Sequence, residues 1–313
     1  MKTGVLVMAY GTPRGPDDVE AFYTDIRHGR PPTAPQLAEL QARYAAIGGV
    51  SPLAEKTAAQ LAALTRALEG IAPGHYRVTY GAKHSAPRIE QAVDQLADSG
   101  VSAIVGLVLA PHYSVGSIGE YLERAQARTM ARGVAAAFIE RWGSEPELIE
   151  LLAGRTAAAI ASLDRQPGDD LEVVFTAHSL PERFVALGDR YPEELAETAA
   201  LVAAQCHLDR WWTGWQSAGA TKEPWLGPDI GEFLSILAGK GARAVVVCPA
   251  GFTSDHLEVC YDLDIIAARR AGELGLGFAR TASLNDDPRL ASLLARLVSA
   301  ADPHRPPGLN PTG

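Results

Sequence analysis

The sequence predicts an α/β fold made of two doubly wound lobes, each a parallel sheet with helices on both faces. Three observations lead there. Short apolar runs rich in β-branched residues alternate with longer amphipathic stretches, the order of βαβ units. The runs are apolar throughout, as strands covered on both faces require, and do not alternate with polar residues. The chain also has 313 residues at 47% hydrophobic, more than a single core of ordinary size accommodates.

Along the first half, "TGVLVMAYG" (3–11), "HYRVTYGAKH" (75–84), "VSAIVGLVLAP" (101–111) and "GVAAAFIERW" (133–142) read as strands. In the second half, "LEVVFTAHS" (171–179), "RWWTGWQS" (210–217) and "ARAVVVCPAG" (242–251) read the same way. Amphipathic helices are expected at 87–100, 193–206 and 229–241, the first and last closing on a glycine as helix ends often do. "EPELIELLAGRTAAAIASL" (145–163) is expected to bridge the halves. The predicted division is therefore a lobe over 1–144, a second over 145–301, and a Pro/Gly-rich disordered tail, "DPHRPPGLNPTG", over 302–313.

A weak internal repeat locates the chemistry. "LAPHYSVGSIGEYLERA" (109–125) and "VCPAGFTSDHLEVCYDL" (247–263) each run from a strand through a proline to a glutamate nine residues on, Glu120 and Glu258. "VTYGAKHSAP" and "VVFTAHSLP" each end a strand with a histidine, His84 and His178, three residues before a proline. Two such lobes are expected to face a cleft with the C-terminal ends of their strands, where open parallel sheets bind ligands.

Composition excludes several classes. A net charge of -9 repels phosphate backbones, so no nucleic-acid partner is expected. No run approaches the roughly 18 apolar residues of a membrane span, and the N-terminal apolar stretch is too short for a secretory signal. The expectation is a soluble, cytoplasmic protein that does not insert into membranes. Cys206, Cys248 and Cys260 show no CxxC spacing and read as reduced, mostly buried thiols.

An imidazole at His178 and a carboxylate at Glu258, if their strands are neighbours, could bind a divalent metal through N and O or exchange protons near neutrality. Equally, His178 could cap a turn and Glu258 could serve a helix's first turn. His84 with Glu120 is an equally spaced pair. Asp262, four residues after Glu258, shares its face in an α-helix, either as a step in an acidic path for a hydrated cation or as a solvated surface. In the first half, Arg27, His28 and Arg30 of "DIRHGRPPT" and Arg43, Tyr44 and Ser51 of "ARYAAIGGVSP" form basic loops. Guanidiniums there suit carboxylates, which they grip bidentately, or they simply solubilise a loop.

Taken together, "VLVMAYGTP", "IRHGRPP", "RYAAIGGVSPL", "VLAPHYS", "FTAHSLPE", "GWQSAGATKEPWLGPD" and "GFTSDHLEVCYDLD" resemble the ferrochelatase family, in the short form of Gram-positive bacteria that inserts ferrous iron into coproporphyrin III. The resemblance reaches to about residue 300. It implies two Rossmann-like lobes around a porphyrin-binding cleft, with propionate-binding loops in the first lobe and the metal-site histidine and glutamate in the second. It implies His178 and Glu258 as the catalytic and metal-binding pair, and Tyr10 as the phenolate that approaches the iron from the other face, axial to it in the product. Arg27, Arg43, Tyr44, Ser51 and Tyr121 are implied to hold the macrocycle and its propionates, with Arg30 beside them, and Asp262 to relay metal.

The implied substrates are coproporphyrin III and Fe2+, the product coproheme, and the partners an iron donor and a downstream haem-pathway enzyme. No tightly bound cofactor is expected. Some relatives carry a [2Fe-2S] cluster on four cysteines, which three cysteines cannot supply. A monomer is expected, since the repeat supplies both walls of a cleft. Ile266 departs from the family, which commonly has an acid there, and shortens the acidic ladder. Protoporphyrin IX ferrochelatase, a cobalt or sirohydrochlorin chelatase, and a non-catalytic porphyrin carrier are the alternatives.

Overall fold

The computed structural model describes residues 1–164 and 170–306. In one compact unit, β1 (Thr3–Ala9), β2 (Tyr76–Ala82), β3 (Ala103–Val108) and β4 (Ala135–Ile139) form a wholly parallel sheet in the order β2-β1-β3-β4. All seven residues of β1 are buried, because it has a strand on each side and helices above and below. Helix Ile89–Asp98 packs on β1 and β2 and against Glu120–Ala131; Leu53–Ile71 packs on β2 and against Pro288–Ala301. The close fit of the first helix needs Gly81, where a Cβ would stand 2.9 Å from Ile89 Cα.

The other unit repeats the plan. Strands β5 (Leu171–His178), β6 (Trp211–Gln216), β7 (Ala244–Cys248) and β8 (Gly277–Arg280) are parallel in the order β6-β5-β7-β8. Helices Pro146–Ser162 and Tyr191–Gln205 pack together on β5 to β8, while Ile230–Gly239 and Ala268–Glu273 pack together against β6 and β8. Val174, Phe233, Leu234, Val245, Val247, Val259 and Leu263 form a continuous core beneath the second helix pair. Among the described residues no helix is long and apolar enough to cross a membrane.

In a 2-1-3-4 order the chain steps outward from the first strand, then crosses to its other side. The ends of β1 and β3, and of β5 and β7, therefore flank topological switch points, the places where such sheets open for ligands. The shared topology also corrects the repeat inferred from sequence. β5 corresponds to β1, so His178 is matched by Tyr10, just after β1; His84 follows β2, whose counterpart is β6.

The division at residue 144 gives way to a discontinuous one: Met1–Ala110, Ser117–Arg141 and the chain from Asn285 on form the first unit, Pro111–Gly116 and Trp142–Leu284 the second. The helix over 146–162 packs within the second unit and does not bridge. Pro288–Ala301 returns to the first because Leu290, Leu294 and Val298 bury their side chains there, against Leu53–Ile71, β3 and β4. Strand β8, only four residues long and opening on a glycine in "GLGFAR", was too short and too little apolar to be expected. Of the predicted tail, 307–313 lie outside the described residues, whereas Asp302 is part of the folded unit.

Asp302 is 6% exposed and accepts hydrogen bonds from Thr3 Oγ1 at 2.8 Å, His75 Nε2 at 2.7 Å and the His304 amide at 2.9 Å. Burial works against its charge, yet these bonds hold its carboxyl below the ordinary value of 3.8. Asp302→Ala leaves donors unpaired and is expected to cost about 1–3 kcal/mol in urea unfolding, whereas Asp17→Ala, on an exposed turn, stays within about 0.5 kcal/mol. Since the folded value is the lower one, the contribution is present above pH 3.8 and is lost as pH falls through the folded value. The gap between wild type and Asp302→Ala therefore narrows in acid.

Candidate functional site

His178 is the last residue of β5, and β7 lies directly beside it. After β7 the chain doubles back: the Gly251 amide donates to the Thr176 carbonyl at 3.0 Å, and a Cβ at Gly251 would stand 2.5 Å from Ala177 Cβ and 2.9 Å from its Cα. Only a glycine lets this loop close on the end of β5. It delivers Glu258 to His178, whose Nδ1 lies 3.0 Å from Glu258 Oε2. Both side chains keep roughly a third of their surface, 35% and 30%, open to solvent. An ionised carboxylate only accepts, so Nδ1 carries the proton and Nε2 is the basic nitrogen of the ring.

The segments quoted from the sequence turn out to brace one another. Tyr191 Oη donates to the His178 carbonyl at 3.1 Å and stacks on Trp215. Ser179 donates from its amide to the Gln216 carbonyl and from Oγ to the Leu226 carbonyl, and the Leu226 amide returns to Leu180. Thus "GWQS" and "WLGP" fix "AHSLP" from its side, and the Trp225 ring lies edge-on to His178 at 6.4 Å. His256 Nε2 stands 3.5 Å from Glu258 Oε2. Burial disfavours the Glu258 charge, but His178 and His256 beside it outweigh that and hold its carboxyl well below the usual carboxylate range.

Glu258 and Asp262 do not share an α-helix. Val259–Ala267 is π-helical, with α-helix only from Ala268 to Glu273; such wide turns are rare and concentrate at functional sites. The Asp262 carboxylate accepts from Ser217 Oγ. Ser217 itself has φ 62, the left-handed region that costs an L-residue roughly 1–2 kcal/mol. Ile266 is half-buried in the same turn.

In the first unit, Tyr10 is 41% exposed, with its ring 4.6 Å from that of His84 and edge-on to Phe22. The rival pair does not form. His84 Nδ1 bonds Asp25 at 2.7 Å, Asp25 is gripped by both Arg88 nitrogens, and Glu120 pairs with Lys83 at 2.6 Å. Burial, only partly opposed by Asp25, draws the His84 pKa down to about 4, so that ring is neutral at pH 7. Arg27 and Arg30 are brought together, each Nε donating to the other's carbonyl at 3.2 and 3.3 Å. Arg43 pairs with Glu39 on its own helix. Tyr44, Ser51 and Tyr121 are buried; Ser51 Oγ accepts from the Leu53 amide, and Lys83 Nζ lies 5.2 Å from the centre of the Tyr121 ring.

His256, Gln216, Ser217 and Tyr191 escaped the sequence reading. His256 sits in "DHLE" two residues before Glu258, on the same chain turn, and that was its only signal. Among the described residues no group of three or more His, Cys, Asp or Glu is placed to hold a metal ion. The His178–Glu258 pair offers one nitrogen and one oxygen, a set that suits a divalent cation still carrying other ligands.

Two parallel units of this topology, with an imidazole–carboxylate pair at a switch point, define a chelatase-type α/β protein. Solved chelatases share the fold: SirB from Bacillus subtilis with Fe3+ aligns over 96% of each chain with a TM-score of 0.58 at 13% identity. CbiX, the terminal enzyme for siroheme biosynthesis in denitrifying bacteria, aligns over 96% of this chain and 99% of its own, with a TM-score of 0.54 at 16% identity. The ferrochelatase family model matches residues 2–302, and the chain belongs to the ferrochelatase family. The ferrochelatase of Herpetosiphon aurantiacus is 42% identical over 301 residues, 95% of this chain and 98% of that one. The coproporphyrin III ferrochelatases of Geobacillus sp. strain WCH70 and Anoxybacillus flavithermus are 41% and 42% identical, covering 95% and 94% of this chain and 97% and 95% of theirs.

The Gly251 contact makes the pairing testable. Gly251→Ala is expected to lower unfolding free energy by about 1–3 kcal/mol and to part Glu258 from His178, seen as loss of the bonded His178 Nδ1–H resonance in proton NMR. Gly154→Ala, with open space around it on a helix of the same unit, stabilises by about 0.4–1 kcal/mol and leaves that resonance in place.

Proposed function

We propose that this ferrochelatase inserts Fe2+ into coproporphyrin III, releasing two protons and giving coproheme for haem synthesis. The observation that carries the reading is the His178–Glu258 contact at the switch point of the second sheet. Metallation must strip water from the ion and remove two pyrrole protons. Glu258, held ionised by its two histidine neighbours, supplies an anionic oxygen to the cation. It is a poor proton acceptor for the same reason. His178 Nε2 is the better base, and the imidazolium it becomes is stabilised by the carboxylate on Nδ1.

Tyr10, exposed after the corresponding strand of the first unit, is assigned to the iron's axial side. Arg27, Arg30, Arg43, Tyr44, Ser51 and Tyr121 are assigned to the macrocycle and its propionates, and Asp262 to metal relay. Binding energy spent on propionates can hold the macrocycle distorted so that its nitrogen lone pairs meet the ion. The named substrate of the relatives above supports coproporphyrin III.

The enzyme is further proposed to act in the cytoplasm as a monomer, with no tightly bound cofactor, receiving iron from a donor and passing coproheme to the next enzyme of the pathway. A [2Fe-2S] cluster is not proposed, because the three cysteines of the chain are fewer than the four that such clusters use in some relatives.

The test is an anaerobic Fe2+ insertion assay with coproporphyrin III and with protoporphyrin IX, on wild type and His178→Ala. Wild type is expected to prefer the four-propionate substrate, and His178→Ala to lose insertion while binding porphyrin within about tenfold of wild type, as a group acting on protons and metal requires. Preference for protoporphyrin IX overturns the substrate assignment. Full insertion by His178→Ala marks the pair as structural.

A further inference from the structure

The end of β6 braces both the strand that carries His178 and the turn that carries Glu258 and Asp262, yet has no role in the reaction as described above. Gln216, fully buried, stands in register with His178 across the sheet. It accepts from Thr176 Oγ1 at 2.9 Å and donates Nε2 to the Glu258 carbonyl at 3.3 Å. Ser217 follows, with φ 62, and donates Oγ to Asp262 Oδ2. Gln216, the last residue of β6, and Ser217 after it thereby hold the N-cap of the π-helical turn by its backbone and Asp262 within the turn by its carboxylate.

A turn that required only this backbone conformation is better served by glycine, which enters the left-handed region without penalty. Serine gains nothing there except its hydroxyl. A non-glycine residue held in a costly conformation is retained where its side chain is used, and this side chain is spent on Asp262. The π-helical stretch adds to the need: its wider turn leaves the Asp262 direction less constrained by the helix itself.

We propose that Ser217 is a positioning residue: it fixes the Asp262 carboxylate one turn along from Glu258, so that a hydrated divalent cation meets two oriented carboxylates on its way to His178, and so sets how readily the cation is captured. This rests on the metal-insertion reading above. It assigns Ser217 to cation capture and not to porphyrin binding or proton transfer.

The experiment measures Fe2+ dependence at saturating porphyrin for Ser217→Gly, Ser217→Asn, Asp262→Asn and Ser217→Gly/Asp262→Asn, with thermal melts of each. Ser217→Gly is expected to melt at or above the wild-type temperature. Its KM for Fe2+ should rise about tenfold, the scale of one hydrogen bond to a charged group, with kcat within about twofold. Asparagine tolerates the left-handed region and its amide can donate, so Ser217→Asn restores a near-wild-type KM. The double variant is no worse than Asp262→Asn alone. A wild-type KM in Ser217→Gly, a failure of asparagine to rescue, or a further loss in the double variant overturns the proposal. His178→Ala in the same assay separates the two ideas. If it is inactive while Ser217→Gly has a wild-type KM, only this inference falls; if it inserts metal normally, the reading beneath it falls.

Discussion

The hydrogen bond between His178 and Glu258 joins positions 80 residues apart in sequence, and much of its unit is arranged so that it can form. It requires β5 and β7 to be neighbours, which a 2-1-3-4 order guarantees by sending the chain back across its first strand. It requires the loop after β7 to lie on the end of β5, which Gly251 permits. It also requires the backbone at His178 to be held against the pull of a charged partner, and Tyr191 with the "WLGP" segment does this. Each support is uncharged, so the charge at the centre is left to Glu258 and its two histidines. A carboxylate kept ionised beside a basic imidazole nitrogen gives two adjacent groups that can ligate a cation together while the imidazole can also take a proton.

The two units share one topology and use it differently. After β1, the counterpart of β5, the first unit presents a tyrosine and places its histidine one strand away, buried and neutral on Asp25. Arg88 and Arg124 both donate to the Lys83 carbonyl, so that unit spends its charges on fixing the turn beside Tyr10. Burial explains the contrast. The His84 side chain is 9% exposed, and at that depth desolvation defeats a nearby carboxylate, whereas His178 stays partly in water.

Much of this was legible in the sequence, for physical reasons. The central strands β1, β3, β5 and β7 announce themselves as nearly continuous apolar runs, because a strand buried on both faces has little room for polar side chains, whereas the edge strands β2 and β6 are partly exposed and include Arg77 and Thr213. His178 was legible as a strand-end residue and Glu258 as the opening of the helix after another strand, but not as partners over His84 and Glu120, because spacing carries no information about burial or about which strands adjoin. The weak repeat misled for that reason, matching β2 to β5 when topology matches β1 to β5. The π-helical turn has no local signature in "VCYDLDIIA". Pro288–Ala301 reads as an amphipathic helix, but nothing in its sequence says that its apolar face belongs to the first sheet. Short β8 is stabilised by its neighbour β7 and not by its own composition.

The central claim is that the His178–Glu258 pair receives the cation. The most direct measurement is a crystal structure of the protein equilibrated with Zn2+, with the ion located by its anomalous signal. The account predicts one ordered ion at about 2.0–2.2 Å from a His178 nitrogen and a Glu258 oxygen. Zinc ordered at other side chains, with His178 still hydrogen-bonded to Glu258 and no ion between them, would contradict it.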